Sequence, residues 1–450
     1  MLNHKKLWYR LLWFIILIIL ASPAIYWFTG IGQTAETLSA NIGYLPNGTL
    51  TSSPKAQALH ALSLPMRLER MIIYPLLLLA FQFSGMALAL RLWLETFIQS
   101  LPAATAPSSW LAKLLNRTGR LVPSNFKKRL SGQDVVIILL FILLLNLGIF
   151  ILYLPFNFYR SFILAHQFGL STQSMGGWLG DWAKSVFIAL VLDGLLWGGL
   201  YVLMRLLPRR WPIIGGGLLM LSGFVLALAA PLIITPLFFQ VKPLNDTELE
   251  SRILTLAQRA GMPVDGVYTI DASTKTTTVN AYVTSFGDAQ RIVLYDTLLA
   301  GYTPDEVEVV LAHELGHWYY RHVFWSVLGM GALGWVGLFA LHWLLNRIWQ
   351  RLELRGPADV AGLPFVLAVI TVATMLSLPF QNGISRYGEH QADKFALIVS
   401  QKPEVFTDFF IQLAEQNLTI VDPPTWEKLI FYTHPPTVER IQLAKEYLRQ

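Results

Sequence analysis

The chain has 450 residues, 54% of them hydrophobic and only 14% charged, with a mean hydropathy of +0.49. Soluble domains carry roughly 25% charged residues, so this composition predicts a multi-pass membrane protein. The absence of cysteine excludes disulfides and thiolate metal or redox sites, leaving His and carboxylates for any metal, and the net charge of +6 lies mostly in loops on one side, which argues against a nucleic-acid partner.

In chain order, Leu7–Phe28 follows Lys5 and Lys6. It is long for a signal-peptide core and lacks a nearby small-residue cleavage site, so it reads as a first membrane helix. A polar stretch rich in Gly, Ser and Thr then runs to about Arg67, and a second span covers Met71–Leu90. Residues 91–133 read as a loop or amphipathic segment, with Arg91, Lys113, Arg117, Arg120, Lys127, Lys128 and Arg129 against Glu95. Val135–Phe156, Trp182–Leu207 and Trp211–Phe239 are the next three spans, and Pro231 and Pro236 should kink or end the last. From Lys242 the pattern becomes soluble. A helix with Glu248 and Glu250 precedes short strands at Val267–Ile270, Ala281–Thr284 and Arg291–Tyr295, the last two joined by a turn at Gly287-Asp288. Phe324–Leu345 and Leu363–Phe380 complete seven spans, separated by a linker with Arg347, Arg351 and Arg355, and a mixed, helical tail follows from Gln381.

The chemistry lies in Val310–His317, which contains H-E-x-x-H. Thr303 as N-cap, Pro304 at the first helical position and Glu306 closing a capping box predict a helix through Trp318. His313 and His317 then project from one face about a turn apart, the spacing two zinc ligands need, with Glu314 beside them to accept a proton from water. A match of this length also arises by chance in buried helices. A Glu beside two His on a mostly apolar helix is, however, costly to bury without a cation or partner.

The zinc proteases whose third ligand is a closely following His are excluded, because Tyr320 stands at their Gly position and Val323 at their His position. His322, one residue out of register, reads as structural or as a support for a ligand. The alternative third ligand is a Glu from a separate helix. Ser385–Asp393 offers Glu389, with Asp393 one turn on to orient a zinc-bound His, although a Glu and an Asp so spaced more often mark a solvated face. The last two spans, as an antiparallel hairpin, would return Glu389 to the level of the His pair. The expectation is a mainly α polytopic membrane protein with about seven transmembrane helices. It carries a small α+β zinc-metalloprotease (gluzincin) domain split around the last two spans. The N-terminal membrane domain covers 1–240 and the metallopeptidase domain 241–450.

The sequence resembles the integral-membrane zinc proteases of the CaaX prenyl protease 1 type, which are related to the HtpX-like membrane proteases. The similarity rests on Leu154–Phe162 with Phe168–Gln173, Pro231–Phe239, Asn280–Tyr282, Arg291–Leu298, His313–Trp318 and Ser385–Asp393. It implies that His313, His317 and Glu389 bind one zinc and that Glu314 is the general base. His434, in Thr433-His-Pro-Pro436, would donate to the tetrahedral intermediate, and Arg440 would support Asp393 or the site. Asn280, Ala281 and Tyr282 would lie on an edge strand that binds the substrate backbone. The family encloses a water-filled chamber, which would account for Asn146, Asp193 and Asn382 in or near spans. Each serves equally well as an interhelical hydrogen-bonding residue.

One departure bears on specificity. The family's basic, His-containing stretch before Asn-Ala-Tyr appears here as Ser273–Val279, with only Lys275 basic and Thr278 near the usual His. The function implied is a zinc metalloendopeptidase acting on a peptide or protein, in the family a prenylated one, beside the lipid bilayer. The alternatives are a quality-control protease for misfolded membrane or envelope proteins and an inactive zinc-fold chaperone or scaffold. A zinc transporter is disfavoured, because the His helix starts in the soluble part. The basic loops put the catalytic part on the side away from the cytoplasm, unlike eukaryotic relatives, and one miscounted span reverses this. A bacterial plasma membrane is expected, and the oligomeric state is left open.

Overall fold

The computed structural model describes residues 2–28, 35, 37–44, 46, 48–101, 130–262, 264–286 and 289–449. The expected turn at Gly287-Asp288 and the basic residues between 113 and 129 lie outside them. The N-terminal half contains α1 (Leu2–Phe28), α2 (Pro54–Phe83), α3 (Met86–Ser100), α4 (Gly132–Phe158), α5 (Met175–Leu206) and α6 (Trp211–Ala229). Then come β1 (Val241–Pro243), α7 (Thr247–Arg259), β2 (Gly266–Ile270), β3 (Ala281–Phe286), β4 (Ala289–Tyr295) and α8 (Asp296–Gly301). The site helix α9 (Pro304–Tyr319) precedes α10 (His322–Ile348), α11 (Leu363–Ser400), α12 (Pro403–Gln416), α13 (Thr425–Phe431) and α14 (Thr437–Tyr447). Among the described residues, six helices are long and apolar enough to cross a membrane, or seven if α2 and α3, bent by 59°, form one span.

Three expectations change. The second span starts at Pro54 rather than after Arg67, because Ser53 caps it by accepting from the Ala56 N–H at 3.1 Å. Its polar residues alternate with Ala56, Leu62 and Met66, which are buried in a cluster with α1 and α4, so an amphipathic turn looked like a loop. It bends at Gly85, whose φ of 86° suits glycine. Arg91 is not in a loop: it lies buried on α3, paired with Asp359 and, at 3.5 Å, with Glu95. Finally, α11 does not stop at Phe380 but runs unbroken to Ser400, so Glu389 stands on the same helix as the last span. Helices α10 and α11 touch little, α10 lying chiefly against α6 and α11 against α2 and α9, while Glu389 returns to the level of the His pair as expected. Pro231 does not end its helix. A wide π-type turn at Ala230–Ile234 carries the chain on to Phe238.

These four strands form one sheet in the order β1-β2-β4-β3, with β2 and β4 parallel and the other pairs antiparallel, and a separate two-stranded pair joins Gly43–Tyr44 to Leu50–Thr51. Ala281 pairs with Leu294 and Tyr282 with Val293, which leaves β3 as an edge strand. Leu249, Ile253 and Leu256 of α7, Val267, Ile292 and Leu294 of the sheet, and Phe406 and Phe410 of α12 form one core with Val307, Leu311 and Leu315 of α9. That core grips one face of α9 and leaves the His313–His317 face to α11.

Candidate metal centre

Helix α9 is set by its cap and by its contact with α11. Thr303 N–H donates to Glu306 Oε2 at 2.8 Å and Thr303 Oγ1 accepts from Glu306 N–H at 3.4 Å, closing the expected capping box. Gly316 allows the two helices to touch, because a Cβ there would lie 2.9 Å from the Ala392 Cα. At that crossing His313, His317 and Glu389 converge, their ligand atoms all within 4.8 Å of one another.

The residues fit a zinc ion. A tetrahedral site with bonds of about 2.05 Å has donor–donor edges of about 3.3 Å. Here the two Nε2 atoms are 3.1 Å apart, and they lie 3.3 Å from Glu389 Oε2 and Oε1 respectively. Both Glu389 oxygens thus face an imidazole nitrogen, although the residue is only 6% exposed. Further residues hold the three. His313 Nδ1 lies 2.9 Å from Asp393 Oδ1, fully buried behind it. Arg440 donates from Nη2 to Glu389 Oε2 at 2.9 Å, approaches Asp393 Oδ2 at 3.4 Å through Nε, and lies over the Phe410 ring. His434 Nε2 stands 3.4 Å from Glu389 Oε1 with 63% of its side chain open.

In the metal-free site, burial favours neutral His313. The bonds to Asp393 and Glu389 outweigh it and push the imidazolium up to about 9. Burial pushes the Glu314 carboxyl up, while His313 and His317 draw it back.

The remaining predicted residues fall as follows. Asn280 precedes β3, and its Oδ1 accepts from Ala281 N–H at 2.9 Å; β3, with Ala281 and Tyr282, packs on α9. Lys275 is held by Asp181 and the Phe238 carbonyl, both at 2.5 Å, so it clamps the end of α6 to α5 rather than pointing free. Asn382 donates to the Leu429 and Ile430 carbonyls, whereas Asn146 bonds within its own helix to the Ile142 carbonyl. Asp193 accepts from Trp197 on the same helix. Sequence reasoning missed Arg386, which donates to the Lys428 and Tyr432 carbonyls at 2.8 and 2.6 Å and, with Asn382, holds the segment leading to His434. It also missed Gln391, 3.2 Å from His322. A basic residue in the helix before the Glu was a visible signal, but its carbonyl partners were not.

This combination of apolar helices and a converged His–His–Glu centre defines a membrane-embedded zinc metalloendopeptidase. The chain matches peptidase family M48 over residues 243–448, and the CAAX prenyl protease N-terminal family of five membrane helices over 88–240. It is 32% identical over 310 residues to the uncharacterized metalloprotease YhfN of Bacillus subtilis, covering 68% of this chain and 72% of that one. It is 28% identical over 324 residues to CAAX prenyl protease 1 of Saccharomyces cerevisiae, covering 66% and 69%. The crystal structure of S. mikatae Ste24p shares the fold, with a TM-score of 0.66 at 22% identity over 94% of this chain and 97% of that one. The chain belongs to peptidase family M48. It is a multi-pass membrane enzyme that uses zinc, and the scaffold and quality-control readings are not favoured.

Proposed function

We propose that the enzyme cleaves peptides near a prenylated C-terminus in a bacterial plasma membrane, with His313, His317 and Glu389 holding zinc, Glu314 as general base and His434 as oxyanion donor. The observation that carries this is Glu314 sharing the α9 turn of two histidines whose Nε2 atoms meet both oxygens of Glu389. Zinc bound there supplies a Lewis acid that acidifies a water and polarises the scissile carbonyl. Glu314, its carboxyl raised by burial, is a stronger base than a solvated carboxylate, suited to take a proton and return it to the leaving amine. In a neutral His434, Thr433 Oγ1 at 2.9 Å from its Nδ1 supplies that nitrogen with a proton donor. This leaves Nε2–H to donate to the developing oxyanion. Arg440 and Asp393 position Glu389 and His313.

The free edge of β3 suits a substrate strand laid along Asn280, Ala281 and Tyr282. Residues 1–240 would form the membrane domain and 241–450 the metallopeptidase domain. The relatives named CAAX prenyl protease 1 support the substrate class. The test compares cleavage of a farnesylated CaaX peptide with that of an unprenylated unfolded protein, by wild type and Glu314→Gln. Preferential cleavage of the farnesylated peptide by wild type alone is expected. Equal turnover of both would overturn the substrate class, and turnover by zinc-loaded Glu314→Gln would overturn the mechanism.

A further inference from the structure

His313 and His317 differ in what stands behind them. Behind His313 is the buried carboxylate of Asp393, 2.9 Å from Nδ1. Among the described residues, no carboxylate stands behind His317. Its Nδ1 lies 2.9 Å from Nδ1 of His322, whose Nε2 lies 3.2 Å from Gln391 Oε1. The chain places His322 there by an uncommon route. Helix α9 ends at Tyr319, and Arg321 adopts a left-handed conformation, φ 54°, which an arginine takes only at some cost. The first residue of α10 thereby turns back onto the last turn of α9. Tyr320 stacks on the His322 ring, with centroids 5.6 Å apart and planes 20° apart. The ring also lies against Gly388, where an added Cβ would stand 3.4 Å from Nε2.

We propose that His322 is a positioning residue for zinc binding: as a neutral imidazole it accepts the His317 Nδ1–H and thereby fixes which nitrogen of His317 faces the metal. Proton placement follows from connectivity. His317 Nε2 faces Glu389 and His313, so a ligating His317 carries its proton on Nδ1. Nδ1 of His322 must then accept, and its remaining proton sits on Nε2, aimed at the Gln391 oxygen. Gln391 thus selects the His322 tautomer, His322 selects that of His317, and the relay adds no charge to the centre. The inference rests on zinc binding at His313, His317 and Glu389.

The test uses the purified full chain, comparing wild type with His322→Phe, His322→Asn and Gln391→Leu. Zinc affinity is measured by chelator competition, and the visible spectrum is recorded after cobalt substitution. Phe keeps an aromatic ring against Tyr320 but accepts nothing, so a loss of about 10–100-fold in zinc affinity and an altered cobalt spectrum are expected. Asn places an amide oxygen where Nδ1 stood and should stay within a few-fold of wild type. Gln391→Leu should lose a few-fold, and it serves as the measurement if His322→Phe does not fold. Wild-type affinity in the folded Phe variant, or in Gln391→Leu should Phe not fold, overturns the proposal, as does an Asn variant as weak as Phe. Glu389→Ala separates this from the underlying reading. If it keeps full zinc affinity, the ligand assignment itself has failed.

Discussion

Two buried arginines mark opposite ends of the α11 region, and each lies between two carboxylates. Near its start, Arg91 pairs with Asp359 and Glu95; Glu389, 26 positions beyond Leu363 and thus about 39 Å along the helix, shares Arg440 with Asp393. The pairings look alike, but the charges do not. At the first end Arg355 joins the group through Glu95, giving equal numbers of guanidinium and carboxylate groups, and Asp359 also accepts the Arg355 and Ala361 N–H groups at 2.9 and 3.1 Å. At the second end one guanidinium faces Glu389, Asp393 and, nearby, Glu314. With both histidines neutral, as ligation requires, the surplus is two negative charges, and with the three converging ligands it calls for a dication. Burial of charge is therefore no mark of a metal site; what distinguishes one is an imbalance that the protein leaves uncorrected.

This contrast yields predictions of decreasing size. Glu314→Gln removes one surplus charge without removing a ligand. Peptide turnover should fall about 10³-fold with zinc stoichiometry, measured by metal analysis, unchanged. Arg91→Ala, which strands Asp359, should cost about 3–5 kcal/mol, read as a lowered melting temperature in detergent, yet leave zinc content intact in the folded fraction. Loss of zinc there would break the distinction between the two ends. Asp393→Asn should do the reverse, weakening zinc about 10–100-fold by chelator competition. The smallest effect is with pH. His313 of the metal-free protein keeps its proton up to about pH 9, so that proton must leave before zinc binds. Zinc affinity should therefore rise by about tenfold per pH unit between 7 and 8 and level off above 9. A flat profile would mean that Asp393 and Glu389 do not hold the proton there.

Much of this was legible in local sequence, and what was not depended on distance or on a single torsion. The capping box at Thr303–Glu306 and the spacing of His313 and His317 fixed α9, because both are properties of one helix. Glu389 was legible as a candidate from residue type, but its place on the last span was not. Hydropathy falls at Gln381 even though the helix continues, since the polar residues beyond that point face the site and α13 rather than lipid. Helix α2 was cut short for the same reason, its first turns alternating buried Ala56 and Leu62 with polar residues. The Arg91–Asp359 pair joins residues far apart in the chain, and no periodicity announces it. From sequence, His322 read as either structural or a support for a ligand, without a partner to decide between them. Its role depends on the left-handed Arg321, which sequence does not reveal.

The continuity of α11 also bears on biogenesis. During synthesis α9 emerges with His313, Glu314 and His317, but Glu389 follows only after the apolar length of α10 and most of that of α11, and His434 and Arg440 come later still. Until α11 has been synthesised, the nascent chain holds His313, Glu314 and His317 without Glu389, and the His–His–Glu group cannot converge. Two apolar helices separate the first two members of the centre from its third along the chain, so a chain arrested before α11 lacks the complete centre.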